Sequence, residues 1–204
     1  MGFLIRELRT RDLPKLYRMY GSLSEETKRF FHPPFFLRPS CVWRALAQVA
    51  LVLSTIGPLR EALLRTFPFP VFLSVVALSE RGELAGFAFL KMRDYLPSRR
   101  PSAELGIVVS DPFQGRGLGS RLVEEVLRLA RGRGVREVVL SVLSDNVRAI
   151  RLYRKFGFEF VGEAEDYWRG RRLKAKVMRL RLDAAGPPAG RGQRGPQRLS
   201  DGSA

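Results

Sequence analysis

The sequence predicts an α/β fold of the α+β kind, strands and helices packed in layers, from three observations. Residues 104–119, ELGIVVSDPFQGRGLG, are an apolar strand that runs into a glycine-rich turn and then into an amphipathic helix, Ser120–Arg131. Residues 136–158, REVVLSVLSDNVRAIRLYRKFGF, repeat that unit: a buried strand Glu137–Leu143, a break at Ser144-Asp145-Asn146, a helix Val147–Phe156 and a stop at Gly157. Alternating apolar runs on either side of these units read as hairpin strands.

The remaining elements follow in order. Phe3–Leu8 is expected as the first strand, ended by Thr10, which can cap a helix from Asp12 to about Leu23 with Pro14 in its first turn. Ser24, with Thr27 and the carboxylates Glu25 and Glu26 behind it, starts a second short helix reaching about Phe31. His32-Pro33-Pro34-Phe35-Phe36 is a proline-broken elbow, followed by helical stretches over 40–56 and 58–65. Val71–Ser79 and Leu84–Met92 form a hairpin about Glu80–Glu83; 94–101 is a loop, and Ala103–Ser110 is the strand that enters the glycine turn. Phe158–Asp166 and Leu173–Leu182 are two more strands, joined through Tyr167–Arg172. From Ala184 the chain is Gly, Pro, Arg, Gln and Ser with almost no apolar content, so 184–204 is expected to be a disordered tail on a single domain of residues 1–183 with an extended helical segment at 32–68.

The glycine turn is built for phosphate. Gln114, Gly115, Arg116, Gly117, Leu118 and Gly119 set several backbone N–H groups at the start of the helix that begins at Ser120, where unsatisfied amides and the positive dipole end favour anionic oxygens. Glycine there lets a ligand approach the backbone. With Asn146, Ala149, Tyr153, Gly157 and Phe158 in register downstream, the chain resembles the GCN5-related N-acetyltransferase superfamily. Its signature is Q/R-x-x-G-x-G/A followed by a strand and an N-x-x-A-x-x-x-Y-x-x-x-G-F helix. The likeness is close over about 100–160 and extends in layout over 3–183.

That resemblance implies a mixed, mostly antiparallel sheet of about six to seven strands flanked by helices and splayed between the strands at 103–110 and 137–143. It implies acetyl-CoA as co-substrate, no metal, and direct attack of a primary amine on the thioester. The pantetheine arm would lie along Ile107, Val108 and Val109, and Tyr153 would donate a proton to the coenzyme sulfur. Glu104, at the start of the coenzyme strand, would take a proton from the incoming ammonium. Some branches of the family use a glutamate in the next strand, where this chain has Ser141; Ser102-Ala103-Glu104 and Ser22–Glu26 look more like the domains that acetylate protein lysines. His32 borders the expected acceptor cleft; Tyr167 and Trp168, with Arg169, Arg171 and Arg172 beside them, sit on its other wall. The acceptor is expected to be a protein lysine or N-terminal amine. A small amine such as an amino sugar, polyamine or amino acid is the alternative, and a non-catalytic acyl-CoA-binding module is a third.

Composition restricts the remaining classes. The formal charge is +16, from 36 Lys+Arg against 20 Asp+Glu, but the basic residues are spread over every segment and no nucleic-acid motif accompanies them. Nucleic acid is therefore not the expected partner, although the charge by itself does not choose, since coenzyme A is also a polyanion. Cys41 is the only cysteine and His32 the only histidine, which excludes an intrachain disulfide and a Cys/His metal cluster. The longest apolar run, Ala45–Gly57, is broken by Gln48 and is short of the ~20 residues needed to span a bilayer. Without an apolar leader in MGFLIRELRTRDL, a cytoplasmic monomer or homodimer is expected.

Overall fold

The computed structural model describes residues 2–31, 49–53, 55, 56, 58, 72–93 and 102–182. The expectations for the elbow at His32, for Cys41, for most of the helical segment 40–65, for the loop 94–101 and for the tail lie outside the described residues, although 49–53 are helical as expected.

Among the described residues, the strands are β1 (Phe3–Glu7), β2 (Phe72–Ser79), β3 (Leu84–Arg93), β4 (Ser102–Val109), β5 (Glu137–Leu143), β6 (Glu159–Trp168) and β7 (Arg171–Arg181); besides the helical residues 49–53, the helices are α1 (Leu13–Ser22), α2 (Glu25–Phe30), α3 (Leu118–Gly132) and α4 (Val147–Lys155). All seven strands join one sheet in the order β1-β2-β3-β4-β5-β7-β6. Every pairing is antiparallel except β4 with β5, the two strands that end in the glycine turn and in the 144–146 break. The parallel pair is also the shortest. Only Ser102–Glu104 face Glu137–Val139, after which the two strands diverge.

Two apolar layers hold the sheet. Leu118, Leu122, Val123, Val126, Leu127 and Ala130 recur at helical spacing on α3 and are all buried. They join Leu73, Val75, Leu90, Leu105, Leu140, Ile150 and Tyr153 on one face. On the other face, Leu16, Met19 and Leu23 pack with Phe31, Leu51, Phe72, Phe87, Phe89 and Val108. Each fully buried Leu or Val stabilises by roughly 1.5–3 kcal/mol. Alternation along β4 thus sends Leu105 to one layer and Val108 to the other.

Three local expectations differ from what forms. Thr10 caps nothing: Thr10–Asp12 is a 3-10 turn, and Asp12 is buried against Arg6, with oxygens 2.6 and 2.8 Å from the guanidinium. Asp12 Oδ2 also accepts from Arg9 N at 2.9 Å, so the buried carboxylate held by Arg6, and not Thr10, fixes that turn. Helix α3 starts at Leu118 and not at Ser120, because Gly117 (φ 75°) makes the left-handed N-cap and Gly119 is already helical. The last hairpin turns over Arg169-Gly170 alone, with Arg169 at φ 50° and Gly170 at φ 78°. Tyr167, Trp168, Arg171 and Arg172 stay extended and pair across the strands.

Candidate active site

A cleft of about 690 Å³ opens where β4 and β5 part. Its floor is Leu105–Val109 on one side and Ser141 and Val142 on the other; the glycine turn and the start of α3 close one end, and α4 supplies Asn146, Ala149, Leu152 and Tyr153. Ser24, Glu26, Thr27, Phe30 and Phe31, on and beside α2, line it from the other face of the sheet. The cleft therefore passes through the sheet, from the α3/α4 layer to the α2 layer.

Divergence leaves β4 with a free edge. Ser110 N donates to Ala85 O at 2.9 Å, toward β3, so strand alternation turns the amide and carbonyl of Val109 and Ile107 toward the β5 side. The Gln114 Nε2 donates to Val109 O there at 3.1 Å. Val108 takes the opposite phase: its side chain is buried in the α1 layer and its backbone faces β3.

The glycine turn presents what an anion needs. Gly115 (φ 78°) and Gly117 (φ 75°) adopt conformations that a Cβ disfavours, and nothing stands within 4 Å of where either Cβ would be. No acidic residue lies in the first turn of α3, and none in the first turn of α4, whose N-terminus borders the same cleft. The helix leaves the amides of Leu118 and Gly119 without an intrahelical acceptor. Gly119 packs so closely that an added Cβ would stand 3.3 Å from Leu152 Cδ2. Arg116, by contrast, does not line the cleft: its guanidinium lies 6.0 Å from the centre of the Phe113 ring.

Tyr153 is buried beside Phe158, ring centroids 5.7 Å apart, and borders the cleft. Its hydroxyl makes no hydrogen bond among the described residues, and burial holds it well above the usual phenol range, so it stays a protonated donor. Asn146 caps α4, its Oδ1 accepting from Ala149 N at 3.1 Å. Glu104 is set apart from these groups. It lies where β4 and β5 still pair, opposite Lys91 of β3, whose Nζ is 3.9 Å from its Oε2. It is two residues from Gly106, which lines the cleft.

Several lining residues carry no local sequence signal. Asp111 accepts from Ser24 N at 2.8 Å and from Gln114 Nε2 at 3.1 Å, and Thr27 Oγ1 donates to it. Burial would raise this carboxyl, but the bonds from Thr27, from the Ser24 amide and hydroxyl and from its own amide together hold it below the usual carboxylate range. Arg148 Nη1 donates to Gln114 Oε1 at 3.0 Å, joining α4 to the turn. Arg29 and Asp145 pair at 2.6 Å, and Arg169 pairs with Glu25, so α2 is tied across the cleft to the break after β5 and to the β6–β7 turn. The partners that Ser24 and α2 find across the cleft stand 84 to 144 residues away, beyond any motif.

Residues 44–158, more than half of the chain, match the Acetyltransferase (GNAT) family, and the chain belongs to it. The likeness reaches individual relatives. The chain is 40% identical over 99 residues to the mycothiol acetyltransferase of Saccharomonospora viridis, 47% of this chain and 32% of that protein. It is 32% identical over 110 residues to the spermine/spermidine N(1)-acetyltransferase of Bacillus subtilis, 50% of this chain and 69% of that protein. A third relative, the N-alpha-acetyltransferase RimI of Mycobacterium tuberculosis, is 40% identical over 99 residues, 48% of this chain and 60% of that protein. The matched segment thus spans less than two thirds of the first and third relatives. Among solved structures, a GNAT superfamily phosphinothricin acetyltransferase from Sinorhizobium meliloti in complex with AcCoA superposes with a TM-score of 0.66 at 25% identity, covering 93% of this chain and 95% of that one. None of these relatives is named for protein lysine, so the expected likeness to lysine acetyltransferases gains no support from them. Among the described residues, no helix is long and apolar enough to cross a membrane, and no group of three or more His, Cys, Asp or Glu could hold a metal ion.

Proposed function

We propose that this protein transfers an acetyl group from acetyl-CoA to a primary amine. The observation that carries the reading is the opening between β4 and β5, floored by β4 backbone that β5 does not pair and ended by a glycine turn with free helix amides. Phosphate oxygens of the coenzyme suit the amides of Leu118 and Gly119 and the turn Gln114–Gly117, with Ser120 beside them in the same lining. The co-substrate supplies an activated thioester; the chain's own groups do the rest. Backbone amides of Ile107 and Val109 on the free edge bind the pantetheine arm and the acyl oxygen as charge develops on it. Tyr153, held neutral by burial, donates a hydrogen bond to the sulfur as the C–S bond breaks.

The amine enters from the α2 face, where Phe30, Phe31, Thr27 and Glu26 line the opening. Glu104 flanks that face and receives the proton that the ammonium must lose, directly or through water. A small amine is the acceptor we favour, because the polyamine-named relative is matched over 69% of its length. A polypeptide N-terminal amine is the second reading, supported by the RimI-named relative at 40% identity. Incubating the protein with acetyl-labelled coenzyme A and an extract divided into low-mass and polypeptide fractions tests both. Label in low-mass material supports the small amine and label in polypeptide the second reading, whereas transfer to neither reduces the function to coenzyme binding.

A further inference from the structure

Asp111 sits where the two halves of the cleft meet. It follows β4 and opens the 3-10 turn Asp111–Phe113 that leads into the glycine turn, whose Gln114 N bonds back to Asp111 O at 3.3 Å. Its carboxylate, meanwhile, belongs to α2: it accepts from the Ser24 amide and from Thr27 Oγ1, and Ser24 Oγ lies 3.1 Å away. Gln114 doubles the link, with Nε2 within 3.2 Å of Thr27 Oγ1 and Oε1 accepting from Arg148 of α4. A shift of the turn must therefore move the start of α2. Helix α2 is six residues long with no buried residue, so little apolar packing of its own resists that movement.

We infer that Asp111 is a positioning residue that transmits coenzyme occupancy of the glycine turn to α2, the wall on the amine's side, so that the donor sets the shape of the acceptor site. This rests on the acetyl-CoA reading above and adds to it the residue that links the two halves of the cleft. Such a coupling is a free energy shared by two sites, and it is reciprocal. A carboxylate serving only as a static staple would hold α2 equally with and without coenzyme.

Amide hydrogen exchange with and without saturating coenzyme A distinguishes the two. In the parent protein, coenzyme A slows exchange at the turn, 115–121, and also over α2 by about tenfold, within the usual range for coupled sites. In Asp111→Asn the protection persists at the turn and is lost over α2. Thr27→Val, which removes a single hydroxyl and keeps the carboxylate, gives the same split, and Thr27→Ser restores the coupling. The KM for the amine at saturating acetyl-CoA rises in Asp111→Asn and Thr27→Val, while the Kd of coenzyme A for the amine-free protein, read by calorimetry, stays within about twofold. Equal protection of α2 in Asp111→Asn and in the parent, or no protection of α2 in the parent, overturns the coupling. Absence of protection at the turn itself overturns the coenzyme reading on which it stands.

Discussion

Tyr153 and Gly117 are the positions where one atom decides most. Removing the Tyr153 hydroxyl in Tyr153→Phe keeps the ring against Phe158 and takes away the donor that borders the cleft. Turnover is expected to fall by about 10²- to 10⁴-fold with the affinity for acetyl-CoA unchanged, read from steady-state kinetics beside calorimetric binding. A kcat equal to the parent's would remove Tyr153 from the chemistry. Gly117→Ala places a Cβ at φ 75°, a conformation costing about 1–2 kcal/mol for an L residue, and crowds the turn proposed above to hold phosphate. Coenzyme affinity should drop more than stability, a contrast that calorimetry and thermal unfolding measure together. Both residues were legible in the sequence because they belong to a pattern of fixed spacing. Asp111 was not, since its partners Ser24 and Thr27 stand 87 and 84 residues away and no local rule joins them.

At the level of elements, hydrophobic period and glycine punctuation gave the strands and helices within a residue or two. They failed where a tertiary contact overrode a local preference. Thr10 has a capping side chain, yet the chain turns on Asp12, which Arg6 reaches from β1. The splay was implied by resemblance and is visible in the register, three paired residues between β4 and β5 against eight between β3 and β4. Helix α4 depends on its cap. Asn146→Ala removes the acceptor for Ala149 N and should cost about 1 kcal/mol, lowering the unfolding temperature and loosening the helix that carries Tyr153. An unfolding temperature equal to the parent's would show that tertiary packing of Ile150 and Tyr153 alone fixes the start of this helix.

Over the whole molecule, the titrating groups define a window of stability. Asp12, Asp111 and Glu125 are held below their ordinary range, Asp12 chiefly by Arg6 and Glu125 chiefly by Arg128, while hydrogen bonds outweigh burial at Asp111. Between its folded and unfolded values each such carboxyl is ionised in the folded chain and protonated in the unfolded one. Their contribution is thus present above about pH 4 and lost as pH falls through the folded values. Burial raises Tyr153 and Tyr17, and pushes Tyr20 up to about 12, so on the alkaline side the unfolded chain ionises first and stability declines from about pH 10 upward. Thermal unfolding across this range should show a plateau with both shoulders, and Tyr153→Phe should flatten the alkaline one; an unchanged alkaline shoulder would contradict the burial of that hydroxyl. The turn between β6 and β7 holds a different kind of tension. Arg169 accepts a left-handed backbone that asparagine adopts with less strain, and its guanidinium is what reaches Glu25 on α2. Arg169→Asn should therefore raise the unfolding temperature while weakening the hold on α2, and if α2 is the amine's wall as proposed, the more robust protein is the less discriminating catalyst.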